Sequence, residues 1–255
     1  MVQTSTNAWF RIPRPNAQAR LRLFCLPYAG GGARIFSGWS DVLPKDVEVW
    51  TVQLPGRDSR IREDLMTSLP PLADQITEAM ADCADKPFAI LGHSMGSLIG
   101  FEVARRIRQA NQPGPVHMFV SGRIAPHVPD PEPPIHALPD DEFLEELRDL
   151  NGTPDEVMAS PELMQLITPI LRADCSVCET YTYQEQPPLA CPISVYGGIN
   201  DPKVTRENLE AWSHQTQGPF VVRMFPGDHF FIQSARELYL QMLRNDLQGV
   251  LDLLV

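Results

Sequence analysis

The sequence contains no apolar run long enough to span a membrane, and residues 1–15 include no apolar segment of the signal-peptide type. It also contains no internal repeat and no low-complexity tract. These absences argue against a membrane-spanning protein and against a repeat array. We therefore expect a cytoplasmic protein that has no membrane partner.

Basic residues are scarce. The 21 Lys and Arg side chains are outnumbered by 32 Asp and Glu side chains, which leaves a net charge of −11. Nucleic acids and anionic lipid surfaces would repel such a chain. The composition therefore argues against nucleic-acid binding and against charge-driven membrane binding.

The cysteines do not form the pattern of a disulfide framework, because there are five of them at irregular spacing. Cys175 and Cys178 form a C-x-x-C pair, a spacing also found in metal and redox sites. No second pair accompanies them, and the segment around them has a helical pattern. We interpret all five as packed, reduced thiols and expect no metal site.

What the sequence does contain is an alternation of strand and helix patterns. Its 255 residues, 43% of them hydrophobic, suit one α/β domain over residues 1–255. Apolar runs predict strands at residues 21–26, 47–54, 88–91, 116–121, 192–196 and 220–225. Amphipathic patterns predict helices at 70–83, directly after residue 94, at 205–214 and at 234–254. This order predicts a mostly parallel central sheet with helices on both faces. The last helix is expected to bury Leu238, Met242, Leu247, Val250 and Leu254.

Between residues 126 and 139 the alternation stops, because six prolines there forbid a strand or a long helix. Helical patterns without strands follow at 140–150 and 160–181, and residues 153–156 have the pattern of a capping box. We interpret residues 123–188 as an insertion that forms a helical lid over the edge of the sheet where ligands bind. The alternative is a peripheral subdomain with no role at the site.

The stretch Gly92-His93-Ser94-Met95-Gly96 joins a predicted strand to a predicted helix. Its G-x-S-x-G spacing is typical of a nucleophile elbow, a strained turn that lifts a serine hydroxyl above the sheet. A Cβ at position 92 or 96 would clash with the neighbouring strand or helix. The pattern predicts Ser94 as a nucleophile, and its flanking strand and helix disfavour the alternative of a chance match.

A serine nucleophile needs a base, and the base needs an acid that orients it. In α/β-hydrolases the acid and then the histidine follow the serine along the chain. Of the six histidines, only His229 follows a late strand through a tight turn, and Asp201 follows the preceding strand. Asp228 is the alternative acid, but a carboxylate rarely reaches the imidazole of its neighbour on a turn. We predict Asp201 and His229 as the partners of Ser94.

A tetrahedral intermediate needs two backbone N–H donors. Met95, directly after the nucleophile, is one candidate, and Ala29, in the glycine-rich loop after the first strand, is the other. The alternative for this loop is a phosphate site. Neither G-x-G-x-x-G nor a Gly-Lys-Ser/Thr ending is present, which disfavours nucleotide binding.

Five motifs, taken in order, resemble the type II thioesterases, the discrete editing enzymes of modular polyketide synthases and nonribosomal peptide synthetases. They are LPYAGG (26–31), QLPGR (53–57), GHSMG (92–96), Gly198-x-x-Asp201 and GDHF (227–230), and the resemblance spans residues 21–231. It implies an α/β-hydrolase fold with a helical lid, and removal of stalled or misprimed acyl groups by hydrolysis of their thioesters on carrier proteins. It implies no cofactor. Ser94, Asp201 and His229 match the family's catalytic triad, and Ala29 and Met95 match its oxyanion donors.

The implied partner is an acyl or peptidyl carrier protein with a phosphopantetheine arm, and we expect the enzyme to be a monomer. Two other classes stay open. One is another serine enzyme of this fold, such as an esterase, an acyltransferase or a fatty-acyl thioesterase. The other is a non-catalytic binding module, which the intact Ser-Asp-His set disfavours.

Arg57, Arg60 and Arg62 form a basic group after the second predicted strand. The resemblance implies an acidic carrier, so Arg60 and Arg62 are candidates for steering it to the site. The competing interpretation is that these arginines pair internally with neighbouring carboxylates.

Overall fold

The computed structural model describes residues 8–83, 85–149 and 158–254. Within them, a seven-stranded sheet is formed by β1 (Phe10–Arg11), β2 (Leu21–Leu26), β3 (Val47–Val52), β4 (Phe88–His93), β5 (His117–Ser121), β6 (Ile193–Gly198) and β7 (Phe220–Phe225). The strand order is β1-β3-β2-β4-β5-β6-β7. Only β1 is antiparallel to its neighbour. The predicted fold class, α/β with a mostly parallel sheet, is confirmed.

The helices are α1 (Trp39–Val42), α2 (Leu69–Ala81), α3 (Met95–Gln109), α4 (Asp140–Asp149), α5 (Pro161–Glu179), α6 (Arg206–Glu210), α7 (Phe231–Ser234) and α8 (Arg236–Leu253). Short 3₁₀ turns occupy Ala33–Phe36, Asp58–Arg60 and Ala211–Gln215. In the parts of the chain that the structure describes, no helix combines the length and apolarity needed to cross a membrane.

Helices cover both faces of the sheet, which is why its inner strands are mostly apolar and almost entirely buried. Every residue of β2 is buried, and its side chains alternate between two cores. Phe24 and Leu26 pack with α2 and α3, whereas Leu21 and Leu23 pack with α1 and α8. The period of two that defines a strand therefore divides one sequence run between two hydrophobic layers.

The sequence predicts neither the strand β1 nor the helix α1, because both are too short to give a periodic signal. The helix predicted at 205–214 consists of α6 followed by a 3₁₀ turn. The closing helix is broken at Ala235, whose ψ of 32° is not helical. Its predicted core contact Leu238 is 40% exposed, while Tyr239 is fully buried against the rings of Trp39 and Tyr196.

Residues 123–188, here called the helical segment, contain α4 and α5 between β5 and β6. The predicted capping box at 153–156 lies outside the described residues. Phe143, Leu147 and Leu171 join α4 to α5 in a small core of their own. Glu179 accepts hydrogen bonds from the backbone N–H groups of Ile135 and His136, so the proline-rich stretch is tied to the end of α5.

His117 at the start of β5 predicts a dependence of stability on pH. Its ring stacks on Phe119, and its Nε2 lies 2.8 Å from Ser194 Oγ. Burial lowers the pKa of His117 from 6.5 to about 4, against a smaller opposing effect of Asp246. The unfolded chain therefore binds a proton between pH 6.5 and 4 that the folded chain does not, so stability falls as pH falls through this window.

We expect this histidine to cost about 2 kcal/mol of the free energy of unfolding between pH 6.5 and 5. Denaturant unfolding of the wild type and of His117→Gln at pH 7.5 and 5 measures the contribution. The variant should lose less stability than the wild type on acidification. Equal losses would contradict the assignment.

Candidate active site

Ser94 lies between β4 and α3 in a strained backbone conformation, with φ 50° and ψ −116°. Such a conformation in a residue other than glycine costs about 1–3 kcal/mol and clusters at functional sites. The Ser94 N–H donates to Ser121 O at 2.7 Å, which holds the turn to β5. A Cβ at Gly92 would lie 2.2 Å from Gly96 backbone atoms, and one at Gly96 would lie 2.2 Å from Leu26 O. The predicted crowding is therefore present on both sides of the serine.

His229 and Asp201 come from the loops after β7 and β6 and meet at the carboxyl edge of the sheet. His229 Nδ1 lies 2.7 Å from Asp201 Oδ2. Asp201 Oδ1 accepts from the N–H groups of Lys203 and Val204 at 3.0 and 3.1 Å. The carboxylate side chain is 0% exposed. Because both of its oxygens are engaged, the carboxylate orients the imidazole so that Nδ1 carries the proton.

Asp228 has a different local role from Asp201. Its Oδ1 accepts from the N–H of Phe230 at 2.9 Å, the pattern of an Asx turn. This bond shapes the turn that presents His229.

His93 lies inside the elbow sequence but belongs to the core. Its Nδ1 lies 2.8 Å from Ser121 Oγ, and its ring packs on the rings of Phe231 and Tyr28. Burial, followed by the nearby His229, lowers the pKa of His93 well below its usual value. The imidazole therefore stays neutral and adds no charge beside His229.

Ser94 and His229 open into one cavity of about 420 Å³. Its walls come from the loops after β2, β5, β6 and β7 and from the helical segment. The apolar wall residues from the helical segment include Ile135, Leu147, Leu171, Cys175 and Cys178, and its charged ones are Arg123, Asp130, Glu132 and Glu179. Burial raises the pKa of the Cys175 thiol, and it raises that of Cys178 to about 11. Both thiols stay protonated near neutral pH and behave as apolar wall.

The two predicted N–H donors lie on the helix that begins after the serine and on a loop that lines the same cavity. Met95 begins α3, so its N–H belongs to the positive end of a helix of 15 residues. Ala29 lines the cavity within the loop after β2. In that loop the Gly31 N–H donates to Tyr28 O at 2.9 Å, which closes a turn around Ala29.

Sequence reasoning missed the contact that holds this loop in place. Asp174 on α5 accepts from the N–H of Gly30 at 2.7 Å and pairs with Arg57. In the sequence, Asp174 is a single acidic residue within a helical pattern, and nothing around it indicates that it binds Arg57 or Gly30. Arg57 was singled out as part of the QLPGR motif and of a basic group, but neither pattern indicates a partner more than a hundred residues away.

Arg60 does not fit a docking role. Its side chain is 8% exposed, pairs with Glu63 and lies over the ring of Trp9 at 4.1 Å. Its Nη1 also donates to Gln53 O at 2.9 Å. The hypothesis that Arg60 steers a partner is therefore wrong, and the competing interpretation of an internal pair holds for this residue. Arg62 is exposed.

One cavity brings together a serine hydroxyl, an imidazole held by a buried carboxylate, and the N-terminus of a helix. These are the groups that acyl transfer requires. The imidazole can take a proton from the hydroxyl and return it to a leaving group. Backbone N–H groups can stabilise the oxyanion that forms between these steps.

The chain is similar to one family model and to several known proteins and solved structures. Residues 21–246 match the family model described as "Thioesterase domain". "Gramicidin S biosynthesis protein GrsT" of Aneurinibacillus migulanus is 47% identical over 97% of each chain. The solved "RedJ-Thioesterase from the Prodiginine biosynthetic pathway in Streptomyces coelicolor" is 38% identical over 92% of this chain and 91% of its own, with a TM-score of 0.84. The "type II thioesterase BorB from the borrelidin biosynthetic cluster" is 34% identical over 94% and 96%, with a TM-score of 0.83.

Proposed function

The chain belongs to the thioesterase domain family, and we propose that it hydrolyses acyl thioesters on the phosphopantetheine arm of carrier proteins, with Ser94 as the nucleophile. The observation that carries the proposal is the Asp201–His229 hydrogen bond in the wall of the cavity that Ser94 also lines. The type II thioesterase neighbour supports the substrate class. Removal of stalled or misprimed acyl groups is the corresponding biological role.

In the proposed mechanism, His229 Nε2 takes the Ser94 proton as the serine oxygen attacks the thioester carbonyl carbon. The oxyanion accepts from the N–H groups of Ala29 and Met95. The carbon–sulfur bond then breaks, His229 returns the proton to the pantetheine sulfur, and an acyl-serine remains. A water molecule gives a proton to His229 and cleaves the acyl-serine, which releases the carboxylic acid and restores the hydroxyl.

We further propose that the helical segment is the lid of the site and that the acyl chain lies against it. Its apolar side chains Ile135, Leu147 and Leu171 line the cavity that the polar loops after β6 and β7 also line. An acyl chain buried there leaves water at the carbonyl end, where the hydrolytic step takes place.

The proposal predicts a preference for carrier-bound thioesters. We expect kcat/KM to be higher for an acyl group on a carrier protein than for the same acyl group in an oxygen ester, because the enzyme recognises the pantetheine arm as well as the chain. Release of free thiol or acid from a panel of acyl groups on one carrier protein measures it. Equal or faster cleavage of the oxygen esters would favour a general esterase, and a steep preference for long chains on every thioester would favour a fatty-acyl thioesterase.

The binding-module alternative makes a separate prediction. A serine-directed fluorophosphonate would fail to label a non-catalytic protein, whereas the proposed enzyme should be labelled at Ser94.

The monomeric state and the cytoplasmic location stay predictions from the sequence.

A further inference from the structure

The glycine-rich loop after β2 is held by the helical segment. The Gly30 N–H donates to Asp174 Oδ2 at 2.7 Å, and Gly30 has a φ of 76°. Gly31 N donates to Tyr28 O at 2.9 Å, so residues 28–31 form a β-turn with Gly30 at its third position. A positive φ at that position is the mark of a type II turn. Asp174 therefore binds the central peptide of the turn, between Ala29 and Gly30.

Asp174 is itself held by a buried counter-charge. Arg57 donates from Nη1 to Oδ2 at 2.5 Å and from Nη2 to Oδ1 at 2.7 Å, with side chains 7% and 3% exposed. This is the bidentate geometry that makes arginine–carboxylate pairs strong and directional. Arg57 Nη1 also donates to Gly31 O at 3.2 Å. The pair thus fixes the loop through both a donor and an acceptor.

The same face of α5 packs on the loop. A Cβ built on Gly30 would lie 2.5 Å from Leu171 Cδ2, so this leucine lies directly against the glycine. Leu171 and Asp174 are three residues apart and share one side of the helix. Leu171 also lines the cavity. One helix therefore contributes both a cavity wall and the support of the loop.

We propose that Asp174 is a positioning residue for acyl transfer, which, together with Arg57, anchors the turn of residues 28–31 so that the Ala29 N–H faces the oxyanion, and which couples the seating of α5 to the oxyanion hole. This inference rests on the proposed function, which gives Ala29 its role. A backbone donor stabilises a transition state only if it is oriented before the charge develops. Without Asp174, the turn loses its anchor at the Gly30 N–H and the buried partner of Arg57, so the Tyr28–Ala29 peptide that carries the donor loses its fixed direction.

Asp174→Asn in the full-length enzyme tests the proposal, with an acyl-pantetheine thioester as substrate. An asparagine oxygen in the place of Oδ2 would turn its NH₂ toward Arg57 Nη2, which is itself a donor, and the opposite rotamer would leave the Gly30 N–H without an acceptor. Either rotamer therefore disrupts the anchor of the turn. We expect kcat to fall by about 10²-fold, the usual effect of losing one oxyanion donor, with little change in KM. Arg57→Lys keeps a positive partner for the carboxylate and should lose less activity than Asp174→Asn.

Two inhibitors separate positioning from a general loss of structure. A trifluoromethyl ketone analogue forms a tetrahedral adduct with an oxyanion, so its affinity should fall by the same factor as kcat/KM. A non-hydrolysable thioether analogue forms no oxyanion and should bind as it binds to the wild type.

The matched control is Glu48→Gln. Glu48 pairs with Arg22 at 3.3 Å, with side chains 7% and 11% exposed, at the amino end of the strands and thus at the edge opposite the cavity. Glu48→Gln should lose about as much stability as Asp174→Asn. Its kcat, measured well below its unfolding temperature, should equal that of the wild type. If Asp174→Asn does not fold, Asp174→Glu is the second variant. It keeps the charge pair with Arg57 but displaces the oxygen that accepts from Gly30. Its effect is measured in the same way, as the ratio of the affinities for the two inhibitors.

Wild-type kcat in the Asp174 variant would overturn the inference. So would an equal loss of affinity for both inhibitors, or an equal loss of kcat in Glu48→Gln. A failure of the proposed function is distinguishable, because the wild-type enzyme itself would then not hydrolyse the acyl-pantetheine substrate.

Discussion

Replacing Ser94 with alanine is expected to lower kcat on an acyl-carrier thioester by about 10³-fold or more. The substitution removes one oxygen atom and leaves the turn, its bond to Ser121 and the flanking glycines in place. The loss should therefore be chemical and not structural. Thiol release under saturating substrate, together with thermal unfolding of the same preparation, measures both properties.

Ser97→Ala is the matched control, because it removes a buried hydroxyl one turn along the same helix. Ser97 Oγ donates to Gly92 O at 2.7 Å, so its loss should lower the unfolding temperature, with a much smaller effect on kcat. Retention of more than a tenth of the wild-type activity by Ser94→Ala would show that another group is the nucleophile.

Asp201→Asn is expected to cost about 10³- to 10⁴-fold in kcat, and Asp228→Asn far less. Two backbone N–H groups hold Asp201 Oδ1, so an amide oxygen would keep that place and turn its NH₂ toward His229 Nδ1. The imidazole would then carry its proton on Nε2 and could not take the serine proton. At position 228, an asparagine oxygen can accept the N–H of Phe230 as the carboxylate does.

Steady-state kinetics of both variants on one substrate decide between the two acids. Each variant should unfold within a few degrees of the wild type, since neither leaves a buried charge without a partner. A larger loss of kcat at Asp228 than at Asp201 would reverse the assignment of the triad.

The elbow could be predicted because its causes are local. A short apolar strand, two glycines and an apolar helix pattern lie within a few residues of Ser94, and the structure gives that serine the strained φ that the motif requires. The Asp201–His229 contact could be predicted because β6 and β7 are parallel neighbours, and loops at their carboxyl ends lie side by side.

Exposure was harder to predict than secondary structure. Arg60 lies in a charged segment that is typical of a solvated loop. Its side chain is nevertheless buried beside Trp9, which is about fifty residues earlier in the chain. Leu238 has an apolar side chain on an amphipathic helix, but Tyr239 is buried in its place, against the rings of Trp39 and Tyr196. In both cases the deciding contact comes from a remote part of the chain.

By itself, the sequence determined the α/β class, the elbow at Ser94 and the loops that carry Asp201 and His229, because periodicity, glycine spacing and strand order are properties of neighbouring residues. The tertiary structure alone decided what Asp174 does. It lies 117 residues from Arg57, and only the packing of α5 on the loop after β2 brings its carboxylate to the guanidinium and to the Gly30 N–H. A carboxylate in a helical pattern is typical of a solvated surface, and only burial between two elements turns it into the support of a catalytic loop.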